Sequence, residues 1–223
     1  MSDRRSVSRR DAFKAIGLGA GAVAVGSRMP WLLGTADAAS CTLTREVAEG
    51  PYWIPNKLTR RNVTDGQRGM PLTLQLFVED ASTCKAIAGA DVEIWHANAA
   101  GVYSGVQGNS KHFLRGHQKT NARGLATFQT IYPGWYPGRT PHIHVKVHVG
   151  GNVVHTGQLF VPDMVSAAVY RTGAYAAHGQ QDVKNSRDGI YAQAGAGKAV
   201  MAMRNRGGTK GYVGSLTMAV SRS

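Results

Sequence analysis

Acidic side chains are scarce in this chain: 13 Asp and Glu stand against 26 Lys and Arg in 223 residues, a formal net charge of +13. Between Glu93 and Asp163 there is no carboxylate at all. Cysteine is nearly absent too; the two present, Cys41 and Cys84, form no CxxC, which sets thiol redox catalysis aside. Beyond the N-terminal segment no apolar run reaches the 18 or more residues of a membrane span, and no heptad pattern is sustained. A helical bundle, a coiled coil and a multi-pass membrane protein are therefore excluded. The basic residues are scattered from Arg45 to Arg222 without a dense cluster or interleaved aromatics, so no nucleic-acid partner is expected. A hydrophobic fraction of 43% is ordinary for a globular chain and too high for a disordered one.

The first forty residues read as an address. Arg9-Arg10 precede the apolar stretch Ala15 to Gly26, and Ala36-Asp37-Ala38 fits an A-x-A cleavage site. The run resembles a twin-arginine export signal, with Phe13 and Lys14 in keeping and Ala12 departing from the usual Phe. Gly17-Leu18-Gly19-Ala20-Gly21-Ala22 matches a dinucleotide fingerprint on paper, but it follows no strand and lies inside this segment. The expected organisation is an export signal over residues 1–38 and one domain over 39–223, delivered to the periplasm or outside the cell. No stable membrane insertion is expected after cleavage. Removing the signal takes six basic and three acidic side chains and leaves +10, a field suited to anionic aromatic acids. An even cysteine count in an exported protein predicts a Cys41–Cys84 disulfide.

Leu72, Leu74, Leu76 and Val78 alternate with Thr73, Gln75 and Phe77, the period of a half-buried strand. Further strands are predicted over 91–96, 125–131, 142–149, 153–161 and 212–220, the pair around Gly150-Gly151-Asn152 forming a hairpin. A helix is expected near 165–170. Short strands with Gly-rich connections and no repeat predict an all-β fold, an antiparallel two-sheet β-sandwich with long irregular loops.

The most informative segment is His142-Ile143-His144-Val145-Lys146-Val147-His148-Val149. Alternation puts the aliphatic residues on one face and His142 and His144 on the other, about 6.7 Å apart at Cα. Imidazoles at that spacing can converge on one metal ion, although alternating polar residues also describe a solvated face. Directly upstream, residues 131–141 hold three prolines, two glycines and three aromatics, a rigid loop able to press a tyrosine toward the histidines. The segment Trp95 to Tyr103 supplies another tyrosine just after a strand.

These landmarks, with Glu49-Gly50-Pro51-Tyr52 and Gln158 in His155-Thr156-Gly157-Gln158-Leu159-Phe160, resemble the intradiol ring-cleavage dioxygenases over nearly the whole exported portion. The resemblance implies one non-haem Fe(III) held by Tyr103, Tyr136, His142 and His144. It implies a catechol-type substrate cleaved with O2 between its hydroxyl-bearing carbons to a cis,cis-muconate-type diacid, with the Tyr136 phenolate leaving the metal to take a substrate proton. It further implies that Arg139 stabilises negative charge on the ring, that Gln158 supports Arg139, and that Pro51 and Tyr52 line the pocket. Tyr132, His96, His117, His148 and His155 are assigned to packing, to the surface or to supporting the ligands. The helical dimerisation segment of catechol dioxygenases has no room here, so the compact exported branch is the nearest fit; a homodimer is compatible with the sequence. Two other readings compete: an exported β-sandwich that only binds, and a zinc hydrolase using His142 and His144. The second would lack an acidic general base near the histidines.

Overall fold

The computed structural model describes residues 41–106 and 110–222; the export-signal reading of residues 1–38 lies outside them. The described chain forms β1 (Pro71–Asp80), β2 (Asp91–Trp95), β3 (Arg115–Lys119), β4 (Leu125–Ile131), β5 (His142–Val149), β6 (Asn152–Phe160), α1 (Asp163–Val169), α2 (Gly189–Gln193), β7 (Ala202–Asn205) and β8 (Tyr212–Val220). Two four-stranded sheets, in the orders β4-β1-β8-β7 and β3-β2-β5-β6, make the all-β sandwich that the alternation predicts. Leu72, Leu74, Leu76 and Val78 of β1 are buried in one core cluster with Val92 and Ile94 of β2 and Ile143, Val145 and Val147 of β5. Each such side chain removed from water contributes about 1.5–3 kcal/mol. The β5–β6 hairpin turns on Gly150-Gly151, both at positive φ (60° and 90°), as a two-residue turn of this hand requires.

Three features differ from the sequence expectation. β1 and β8 pair in parallel, the remaining strand pairs being antiparallel. More than 130 residues separate these strands, so no hairpin dictates their direction. β3 escapes a pattern search because its sequence, Arg-Gly-His-Gln-Lys, has no apolar alternation; it is held by pairing to β2 and by Arg115 donating to the Ser104 carbonyl. β7 is short and mostly exposed at a sheet edge, where burial leaves no signature.

β5 is buried on both faces over most of its length. Its inner face meets the core; its outer face is covered by the arm that precedes β1. A Cys41–Cys84 disulfide, with Sγ atoms 2.11 Å apart, fastens the start of this arm. The arm then follows β8 (Thr44 N donating to Ala219 O) and crosses to β6 (Val47 N donating to Thr156 O). Lys146 of β5 pairs with Glu49 of the arm and sits 4.0 Å over the Trp53 ring.

Candidate metal centre

Strand alternation sends His142 and His144 to the outer face of β5, and the arm and loops close over them until both are buried. Trp95, opposite His144 on β2, stacks on its ring with centroids 4.8 Å apart and planes 10° off parallel. The Thr140 carbonyl lies 2.7 Å from His142 Nδ1, which therefore carries the proton and leaves an Nε2 lone pair facing away. Tyr103 arrives on the loop after β2, whose turn is organised by Asn98 Oδ1 accepting from the Ala100 and Val102 amides. Tyr136 arrives on the loop before β5. The two loops pack backbone on backbone: a Cβ on Gly134 would lie 1.9 Å from the Asn98 carbonyl oxygen. Only glycine permits that approach of the two tyrosine-bearing loops.

Four donor atoms converge. His142 Nε2 stands 3.1 Å from His144 Nε2, 3.4 Å from Tyr103 Oη and 3.3 Å from Tyr136 Oη, and His144 Nε2 stands 3.1 Å from Tyr103 Oη. Ligands about 2.0–2.1 Å from a shared ion, at angles from right to tetrahedral, are spaced about 2.9–3.4 Å from one another. These four separations are those of donors that share a single coordination sphere. Burial, with Arg139 adding to it, holds His142 down to about 3, and burial with His142 nearby holds His144 well below the usual imidazole range. Both rings are neutral ligands at any ordinary pH. Burial raises both phenols, Tyr103 well above its usual value and Tyr136 less so because Arg139 opposes the effect. A cation must supply the field that ionises them. Among the described residues no group of three or more His, Cys, Asp and Glu could hold a metal ion. Two hard phenol oxygens and two imidazoles fit ferric iron, not the thiolate sites of zinc or iron–sulfur proteins.

The other candidate residues take graded places around this centre. Arg139 Nη1 lies 3.4 Å from Tyr136 Oη, its Nη2 donates to Gln158 Oε1 at 2.6 Å, and Gln158 Nε2 donates to the Ala48 carbonyl of the arm at 3.0 Å. Tyr52 stacks on Tyr103 at 4.4 Å and meets Tyr136 edge-on at 5.8 Å. Pro51 precedes it in the arm and is exposed. Tyr132 and the histidines assigned to packing, surface or support lie elsewhere: Tyr132 Oη bonds Ser166 Oγ, His96 bridges Thr130 Oγ1 and the Ala97 carbonyl, and His155 is buried in β6. His117 and His148 flank Glu93, 3.5 and 3.6 Å from its oxygens.

Two carboxylates matter that pattern reading did not single out. Glu93 is buried and accepts from Trp53 Nε1 at 3.2 Å and Asn56 Nδ2 at 2.9 Å, tying the arm to β2. Burial pushes it up, but the neighbouring His117 and His148 rings and the bond from Trp53 outweigh that and hold it at about 2. Asp188 bonds Arg139 Nε at 2.8 Å across 49 residues of sequence. Its only local signal is that of a helix cap, Asp before Gly189 at the start of α2.

Residues 48–161, which hold all four converging side chains, match the protein family described as Dioxygenase. The intradiol ring-cleavage dioxygenase of Tetranychus urticae superposes with a TM-score of 0.77 at 36% identity, over 81% of this chain and 95% of that one. The dioxygenase domain of a dioxygenase–carbohydrate-binding fusion from Streptomyces sp. SirexAA-E gives 0.61 at 30% identity, over 81% and 99%. A catechol 1,2-dioxygenase of Acinetobacter lwoffii is 33% identical over 103 residues, 42% of this chain and about a third (32%) of that enzyme's length. With the sandwich, the matched segment and near-complete coverage of a relative at 36% identity in agreement, the chain belongs to the intradiol ring-cleavage dioxygenase family.

Proposed function

We propose that this protein is a non-haem Fe(III)-dependent intradiol dioxygenase, which uses O2 to open catechol-type rings between the hydroxyl-bearing carbons and yields cis,cis-muconate-type diacids. The observation that carries this reading is the convergence of Tyr103, Tyr136, His142 and His144 at 3.1–3.4 Å. Those four side chains would hold the ion, whose Lewis acidity would ionise phenol and catechol hydroxyls and draw electron density from the ring toward O2. Tyr136 Oη, beside the Arg139 guanidinium and less buried than Tyr103, is the base placed to accept a catechol proton. Arg139 then faces the ring with a fixed positive charge and stabilises the negative charge that develops there. Gln158 holds Arg139 from the side. Tyr52, stacked on Tyr103, would line the substrate space with Pro51. A twin-arginine-type leader over residues 1–38 would carry this chemistry outside the cytoplasm, and because that route carries folded proteins, metal could be loaded before export.

The experiment is oxygen uptake with a panel of catechols on iron-loaded protein, with product mass recorded. One O2 consumed per ring, with both atoms in a diacid, supports the reading. Coloured protein that consumes no O2 with any catechol would favour the binding module. A colourless preparation active only with zinc would favour the hydrolase.

A further inference from the structure

Arg139 is a planar fork with three nitrogens, and each has its own partner. Nε donates to Asp188 Oδ2 at 2.8 Å, Nη2 to Gln158 Oε1 at 2.6 Å, and Nη1 is left 3.4 Å from Tyr136 Oη. In a rigid fork, fixing two corners fixes the third. The Asp188 side chain is 1% exposed, and its two oxygens divide their work. Oδ1 accepts the Ile190 and Tyr191 amides at 2.8 and 2.9 Å and caps α2, with a longer contact of 3.5 Å from Arg139 Nη2. Oδ2 takes Arg139 Nε and, at 3.0 Å, the Thr140 amide. The same carboxylate therefore grips the backbone two residues before His142 and the guanidinium beside Tyr136. Burial raises Asp188, but the bonds from Arg139, Tyr191 and Thr140 prevail and keep it ionised.

We propose that Asp188 is a positioning residue of the reaction: by holding Arg139 Nε and the Thr140 amide on one oxygen, it aims Arg139 Nη1 at Tyr136 Oη and at the ring. The proposal rests on the function proposed above for the site. Removing Oδ2 leaves the guanidinium held through Nη2 alone, by Gln158 and the long Asp188 Oδ1 contact, so Nε is released and the charge that meets the ring is no longer fixed.

The test is a double-substitution cycle on iron-loaded enzyme. Asp188→Asn keeps a carbonyl oxygen for the α2 cap, where Asn serves as well as Asp, and turns an NH2 toward two donors. Asp188→Ser also keeps a capping oxygen and serves if Asp188→Asn does not fold. The expected result is a fall in kcat of tenfold or more, with KM for catechol changed less than threefold. On an Arg139→Ala background the same substitution is expected to change kcat less than twofold, because Asp188 acts through Arg139. An unchanged kcat, or equal losses on both backgrounds, overturns the proposal. A second readout needs no turnover: in metal-free protein the Arg139 Nε–H resonance is expected to exchange slowly in the wild type and to lose protection in Asp188→Asn. If the wild type opens no catechol ring, the function fails, while the Nε–H signal still decides whether Asp188 holds Arg139; unaltered protection in the variant refutes that hold.

Discussion

His142 Nε2 stands 3.1 Å from His144 Nε2 at a point where the Thr140 carbonyl has already claimed the His142 proton on the opposite nitrogen. A lone pair therefore faces its neighbour, and only a proton or a cation between the rings makes that contact favourable. Since both imidazoles are held neutral, the protons lost on metal binding come from the phenols. Loading ferric ion at pH 7 is expected to release one proton fewer in Tyr103→Phe or Tyr136→Phe than in the wild type, measured by pH-stat against the same iron stock.

Phenolate-to-iron charge transfer should colour the loaded protein red to burgundy. Tyr103→Phe and Tyr136→Phe are expected to shift or weaken that visible band. Tyr132→Phe should leave it nearly intact, because the Tyr132 hydroxyl is spent on Ser166 Oγ at 2.8 Å. Its cost should appear as about 1 kcal/mol of stability in urea unfolding.

Gly134→Ala should harm the site without touching a donor atom. The added methyl meets the Asn98 carbonyl oxygen at 1.9 Å and must push the Tyr136 loop from the Tyr103 loop. A shift of even 1 Å would spread the coordination sphere. Iron content after dialysis against a chelator is expected to fall at least tenfold relative to the wild type.

Glu93 ties the arm to β2 and should report through pH. Its folded value of about 2 lies below the ordinary 4.5, so its contribution is complete above pH 4.5 and is lost as pH falls toward 2. His117 has the opposite sign: raised by Glu93 and Asp91 against the effect of burial, it stabilises below pH 6.5 and loses that contribution as pH rises past its folded value. Glu93→Gln is expected to flatten the acid limb of a Tm-against-pH profile and to cost about 1–3 kcal/mol near neutrality. Because Trp53 follows Tyr52 in the arm, KM for catechol should rise more than kcat falls.

Cys41→Ser or Cys84→Ser should destabilise by up to about 4 kcal/mol on chain-entropy grounds, since the bridge closes a loop of 43 residues. Urea midpoints with and without reductant would measure this. Wild type in reductant should match the variants, and a reductant effect on the variants themselves would count against the account.

How much was legible beforehand follows from how far each signal extends along the chain. The alternation of Leu72 to Val78, the Gly150-Gly151 turn and the shared face of His142 and His144 are local consequences of strand geometry, so they can be read from neighbouring letters. Tyr103 and Tyr136 are singled out only through resemblance, because nothing in a tyrosine's own neighbours says where its oxygen will point. β3 left no pattern because its buried members are Arg115, Gly116 and His117, whose burial is made tolerable by partners elsewhere in the chain.

By itself the sequence determined the two-sheet sandwich, the pairing of histidines on one strand face and the family, since period-two alternation and short motifs survive without knowledge of distant contacts. Tertiary structure alone decided the parallel β1–β8 pair, the burial of Glu93 beneath the arm and the 2.8 Å contact between Asp188 and Arg139. Those depend on segments about forty or more residues apart meeting after loop closure. A buried charge acquires its partner, and hence its role, only when that closure has removed the water around it.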